Sequence, residues 1–173
     1  RCGELGIEHV YFLDDTFPVT GPRLRELCQR LLEGPAAPRW SCRTAAAGLT
    51  AEHLALMKRA GCERIQVGVE TSTDEGLREL GKSATVAQLR RAFAEARKTG
   101  LETMAYFMLG LPHERTPDDI YRTVRFAREL RPTYAMFNVL TLYPGTELFR
   151  RAVRRGLADP DVWHRFARHP EPD

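Results

Sequence analysis

Short apolar runs alternate with amphipathic stretches along most of this chain. The runs Glu8–Leu13, Arg39–Cys42, Arg64–Val69, Glu102–Leu109 and Tyr134–Leu142 have the length and composition of buried strands. Between them, apolar residues recur three and four positions apart over Pro22–Leu32, Ala51–Ala60, Asp74–Leu80, Val86–Thr99, Pro117–Leu130 and Glu147–Arg155. That spacing predicts helices with one buried face. Thr116-Pro117-Asp118-Asp119 places a hydroxyl at an N-cap, proline at the first helical position and a carboxylate at the third. Thr85 with Gln88, and Ser72 with Glu75, repeat the arrangement. Gly61 and Gly100 close their helices and lead straight into strands.

Strands separated by helices predict an α/β fold with parallel βαβ connections, right-handed by strong preference. An open doubly wound sheet and a full or partial (β/α) barrel both satisfy this pattern. No G-x-G-x-x-G follows the first strand, so a dinucleotide fold has no support. Polar or turn residues recur instead at the carboxyl ends of strands: Asp14 and Asp15, Arg43, Glu70, Gly110 and Tyr143. In barrels that rim carries the chemistry, so the pattern favours a barrel arc.

Strand alternation says which of these side chains share a face. In "RIQVGVE", Ile65, Val67 and Val69 lie on one side and should meet helices, leaving Gln66, Gly68 and Glu70 facing the lumen. In the first strand Val10, Phe12 and Asp14 alternate with His9, Tyr11, Leu13 and Asp15. One aspartate of the pair is expected to meet a ligand and the other to tie down the turn. The more polar second set leans towards Asp15, but a strand that has already ended there leaves both Asp14 and Asp15 as candidates. A pair of aspartates making only turn hydrogen bonds is the plainer alternative. "YFMLGLPHE" runs an apolar strand into Gly110-Leu111-Pro112. It reads as a shelf for an aromatic base, with Phe107 and Met108 beneath and backbone polar groups at its edge. "LTLYPGTELF" makes a similar turn, with Thr146 capping the helix that starts at Glu147.

Composition narrows the function. The chain has 173 residues, 43% hydrophobic and 28% charged, with a net charge of +3, as in a soluble globular protein. No apolar run approaches the ~18 residues of a membrane span, and no signal peptide is expected ahead of the first strand. Charge is not clustered, so nucleic acid is not an expected partner. Of the 26 basic residues only Lys58, Lys82 and Lys98 are lysines, a bias most simply read as genomic composition. Cys2, Cys28, Cys42 and Cys62 are scattered, with no C-x-x-C pair, which argues against a zinc site or a disulfide scaffold. Cys28 and Cys62 read as small core residues, and the reducing cytoplasm is the expected compartment. A magnesium phosphohydrolase would space its carboxylates D-x-D, unlike the contiguous pair here. A metal-assisted lyase would need histidines at strand ends, where His53, His164 and His169 do not lie.

The ordered set "FLDDTF", "WSCRT", "AGCERIQVGVETST", "LGKSAT", "FMLGLPHERTPDDI" and "YPGTELF" resembles radical S-adenosylmethionine enzymes. It is most similar to the subclass whose longer members carry an N-terminal cobalamin-binding domain. The likeness spans about Gly6 to Gly156. It implies a partial parallel barrel, residues 1–156, lacking its first strand and cluster loop, with 157–173 opening a C-terminal extension. It also implies S-adenosylmethionine bound beside a [4Fe–4S] cluster held by a C-x-x-x-C-x-x-C motif. That motif is absent from this sequence, so the cluster ligands are expected outside it and the fragment alone is expected to be inactive. One-electron cleavage of the cofactor would yield a 5′-deoxyadenosyl radical. Cobalamin is a further candidate cofactor, for methyl transfer or a ring rearrangement.

By the same resemblance, Asp14 and Asp15 bind the methionine ammonium and Glu70 lies near the ribose or methionine part. Gly110, Leu111 and Pro112 run beneath adenine, with Tyr143 near the same end. The family shows an arginine shortly after "WSC" where this chain has Ala45, so Arg43 is the candidate replacement. Lys82 matches a basic position without an evident role. Expected partners are a small-molecule substrate and a reductant such as a flavodoxin or ferredoxin. A cluster-free module that keeps only the nucleoside shelf is the competing reading.

Overall fold

A computed structural model describes every residue except 1, 3, 19, 20, 35, 36 and 171–173. Two compact units divide between Val139 and Leu140. The first holds five strands, β1 (His9–Phe12), β2 (Arg39–Thr44), β3 (Cys62–Glu70), β4 (Glu102–Leu109) and β5 (Tyr134–Val139). Its helices are α1 (Pro22–Glu33), α2 (Ala51–Arg59), α3 (Asp74–Glu79), α4 (Val86–Lys98) and α5 (Pro117–Leu130). The second unit contains α6 (Glu147–Arg154) and α7 (Val162–Arg168). The segment 157–173, read from sequence as the start of an extension, thus contributes a helix.

All four strand pairings are parallel, and the spatial order β1-β2-β3-β4-β5 follows the chain. An order without reversal has no switch point of the doubly wound kind, so right-handed crossovers lay the helices between its strands on the same face. Consistent with this, α1 packs on α2, α2 on α4 and α4 on α5. The fold is the expected partial parallel (β/α) barrel.

Burial follows the alternation. On β3, Ile65, Val67 and Val69 are fully buried against helices, and on β4 Thr103, Ala105 and Phe107 are too. Leu24, Leu54, Met57, Leu89 and Phe93 complete the layer from the helix side. At its β1 end Phe12 meets Trp40 edge-on at 5.5 Å and Phe17 at 5.0 Å, and the Trp40 indole donates to Ala60 O at 2.7 Å. Cys28, Cys42 and Cys62 are buried free thiols within this core. Burial pushes Cys28 up to about 11. Contact with the Cys42 thiol, then burial, raises Cys62 as well. Both stay protonated and inert at neutral pH.

Several boundaries differ from the expected ones. β1 stops at Phe12, leaving Leu13 exposed, and β5 stops at Val139 rather than Leu142. Thr73, not Ser72, caps α3 by accepting from Gly76 N, because Ser72 faces the Thr123 hydroxyl at 3.5 Å. The boxes at Thr85/Gln88 and Thr116/Asp119 form as expected. Among the described residues no helix is long and apolar enough to cross a membrane.

The Asp119 carboxylate accepts from the Thr116 hydroxyl and from the Arg115 and Thr116 amides, which holds its pKa below the usual aspartate range. A depressed folded value stabilises the fold above the unfolded value and loses that support as pH falls through the folded one. Thr116→Ala should cost about 1 kcal/mol at neutral pH. Urea melts at pH 7 and pH 3 should show this difference shrinking in acid as the Asp119 side of the box is lost.

Candidate functional site

The lumen face is built from the side chains that alternate with the buried set. Tyr11 on β1 and Tyr106 on β4 both donate their hydroxyls to Gln66 Oε1 on β3, at 3.1 and 2.6 Å. This polar layer ties three strands together. Towards the carboxyl ends of the strands a cavity of about 330 Å³ opens, lined by Asp15, Arg43, Gly68, Glu70, Lys82 and Tyr106 among others. Its size falls at the lower end of small-ligand pockets.

Glu70 reaches this cavity by a strained route. Pairing of β3 with β4 slips between Gly68 and Glu70, and Glu70 takes φ 67°, the left-handed region that a non-glycine residue enters rarely. Thr71 N donates to Val69 O at 2.9 Å, closing a three-residue turn around Glu70. The carboxylate folds back over Gly68: a β-carbon there would lie 2.5 Å from Glu70 Oε1 and 3.3 Å from Lys82 Nζ. Lys82 Nζ donates to Glu70 Oε1 at 2.8 Å, with the glutamate side chain only 16% exposed. Lys82 is itself fixed by its amide, which donates to Leu77 O after α3. The lumen-facing expectation for Glu70 therefore holds, by a local turn rather than by simple alternation.

The opposite wall comes from β2 and the β1–α1 loop. Arg43 lies over the Tyr106 ring, 5.7 Å from its centroid. The loop carrying the paired aspartates is fastened to the end of β2: Phe17 N donates to Arg43 O at 2.7 Å and the Thr44 hydroxyl donates to Phe17 O at 3.0 Å. Asp15 lines the cavity, whereas Asp14 is exposed and outside its lining. Two carboxylates and two cations thus share one cavity, a set able to make charge-assisted hydrogen bonds to both ends of a zwitterion.

Gly110, Leu111 and Pro112 do not line this cavity. The Gly110 and Leu111 amides donate to Glu114 Oε2 at 2.7 and 3.0 Å, and the Thr123 hydroxyl donates to Glu114 Oε1 at 3.0 Å. The two amide hydrogens read as shelf donors are therefore taken by the protein itself. Phe107 is also not beneath the turn: it is buried towards the helices and stacked on Phe137 at 5.0 Å, since neighbours on a strand face opposite sides. Tyr143 belongs to the second unit, where it stacks on Trp163 at 5.2 Å while the Trp163 indole donates to Leu142 O at 2.6 Å.

Tyr106 and the role of Lys82 escaped the sequence reading. Alternation of Met104, Tyr106 and Met108 could have shown the first; nothing local signals that Lys82 returns to Glu70. No group of three or more His, Cys, Asp or Glu among the described residues could hold a metal ion. With Cys28, Cys42 and Cys62 buried in the core, these residues do not fit an iron–sulfur cluster, whereas the charged cavity fits an amino-acid zwitterion.

Residues 1–127 match the sequence family described as the Radical SAM superfamily. An uncharacterized methyltransferase of Pyrococcus horikoshii is 30% identical over 163 residues, 94% of this chain and 35% of that protein. The anaerobic magnesium-protoporphyrin IX monomethyl ester cyclase of Rubrivivax gelatinosus is 27% identical over 72% of this chain and 23% of its own length. Among solved structures, the radical S-adenosylmethionine methyltransferase TsrM of Kitasatospora setae, with cobalamin and a [4Fe-4S] cluster bound, superposes with a TM-score of 0.77. It is 23% identical, and the match covers 89% of this chain and 32% of that one. The chain spans about a third or less of the length of these proteins.

The left-handed turn at Glu70 makes a stability prediction. Glu70→Gly removes the steric penalty of positive φ, and Glu70→Ala keeps it. In the intact protein, chemical denaturation should find the glycine variant about 1 kcal/mol more stable than the alanine variant. Equal stabilities would show that the turn is not strained.

Proposed function

This chain belongs to the radical SAM superfamily, and from that premise we propose that it forms the S-adenosylmethionine-binding part of a radical enzyme's catalytic barrel. The observation that carries the reading is the pairing of opposite charges at one strand-end cavity, Asp15 and Glu70 with Arg43 and Lys82. S-adenosylmethionine ends in an amino acid whose ammonium and carboxylate need partners of opposite sign. Asp15, exposed at its loop, accepts from the ammonium; Arg43 and Lys82 offer donors to the carboxylate. Glu70, oriented by its hydrogen bond from Lys82, accepts from the ribose hydroxyls or the ammonium. Asp14 stays at the loop surface as the turn residue of the pair.

Gly110, Leu111 and Pro112 serve adenine through van der Waals contact and carbonyl oxygens, because their amides at 110 and 111 are already bonded to Glu114. When bound beside a reduced [4Fe–4S] cluster, the cofactor supplies a 5′-deoxyadenosyl radical that takes a hydrogen atom from substrate. The cluster ligands come from residues outside this sequence, and an external low-potential reductant such as a flavodoxin or ferredoxin delivers the electron.

The reaction proposed is methyl transfer to a small-molecule substrate with cobalamin as the methyl carrier. Its support is the cobalamin bound in the similar TsrM structure and the methyltransferase among the similar sequences. The core spans residues 1–156, with 157–173 beginning a further segment.

The full-length protein, produced anaerobically and reconstituted with iron and sulfide, is the material for the test. Calorimetric titration with S-adenosylmethionine should give saturable binding, and dithionite should then release 5′-deoxyadenosine. Asp15→Ala and Glu70→Ala should each weaken affinity at least tenfold with circular dichroism unchanged. Wild-type affinity in both variants would overturn the site. Saturable binding without a reconstitutable cluster would instead favour a nucleoside-binding module.

A further inference from the structure

The turn that aims Glu70 is strained, and something must hold it. Its own hydrogen bond, Thr71 N to Val69 O, closes the turn but does not fix it against neighbouring elements. The Thr71 side chain does. Thr71 is 1% exposed, and its hydroxyl shares a hydrogen bond with His113 Nε2 at 3.0 Å. His113 comes from the β4–α5 turn, 42 residues away in sequence.

His113 is wedged in place from three directions. Its ring occupies the space above Gly76 on α3, where a β-carbon would lie 2.5 Å from Cε1 and 2.6 Å from Nε2. Its Nδ1 is buried without a hydrogen bond, 3.4 Å from Glu79 Oε2. The next residue, Glu114, fastens the turn to the Gly110 and Leu111 amides and to Thr123 on α5. A histidine placed this firmly can transmit that firmness to the one hydroxyl it bonds.

We infer that His113 is a positioning residue for Glu70: it pins Thr71 against α3 and the β4–α5 turn, and so keeps the adjacent Glu70 carboxylate turned into the cavity. Gly76 takes part by having no side chain where the imidazole lies. The inference rests on the reading that this cavity binds S-adenosylmethionine. It makes the "GLPHE" segment act on the site through β3, by way of Thr71, rather than by lining the cavity.

A double-mutant cycle on the reconstituted full-length protein separates this from a merely structural role, with S-adenosylmethionine affinity measured by calorimetry in the absence of reductant. His113→Ala should weaken binding about tenfold when Glu70 is present and within twofold of nothing when Glu70 is alanine, because coupled residues are not additive. His113→Gln, which can still reach the Thr71 hydroxyl, should recover most of the affinity. Thr71→Val, which keeps the shape and removes the hydroxyl, should reproduce the loss if His113→Ala does not fold. Full affinity in His113→Ala or Thr71→Val, or an equal loss in both Glu70 backgrounds, overturns the inference while leaving the site intact. Wild-type affinity in Glu70→Ala overturns the inference, and the same result in Asp15→Ala as well overturns the binding reading itself.

Discussion

Helices cover one face of a sequentially ordered parallel sheet, and that single asymmetry governs the molecule. A strand buried on one side must present alternate residues to the other, so every apolar contact with the helix layer fixes a lumen-facing neighbour. Ile65, Val67 and Val69 sit in the core, and Gln66 and Gly68 face inward because of it. The Tyr11–Gln66–Tyr106 layer forms on the same logic across three strands. The buried faces of helices and strands thus decide where polar groups go, without any polar interaction drawing them there.

Chemistry begins where alternation ends. At the last residues of β3 the ladder slips, Glu70 enters a left-handed conformation, and its carboxylate takes the volume left by the missing Gly68 side chain. Strain of this sort costs on the order of 1–3 kcal/mol and persists only when the surroundings over-determine it. Here the surroundings are Lys82 on one side and Thr71, His113 and Gly76 on the other. A relaxed β conformation at Glu70 would continue the strand and give up the fold-back of the carboxylate over Gly68.

The family match over residues 1–127 puts the chain in the radical SAM superfamily, and the chain spans about a third or less of the length of the similar proteins. Its barrel residues offer a charged, shaped cavity, and no group of three or more His, Cys, Asp or Glu among those described could hold a metal ion.

The sequence by itself determined the element order, the parallel topology, the helix caps at Thr85 and Thr116, and which face of β3 is buried. Each of these rests on local spacing: period, capping geometry and the length of a βαβ crossover are properties of neighbours along the chain. It also brought Asp15, Arg43 and Glu70 forward as rim residues, through their place at strand ends. Tertiary structure alone decided that Asp15 and not Asp14 lines the cavity, that Phe107 turns to the helices, and that the amides of Gly110 and Leu111 close on Glu114. It alone joined Lys82 to Glu70 and His113 to Thr71, pairs 12 and 42 residues apart. Contacts of that range depend on where separate βα loops arrive at a common rim, and no local pattern encodes a meeting between side chains whose backbones never touch in sequence.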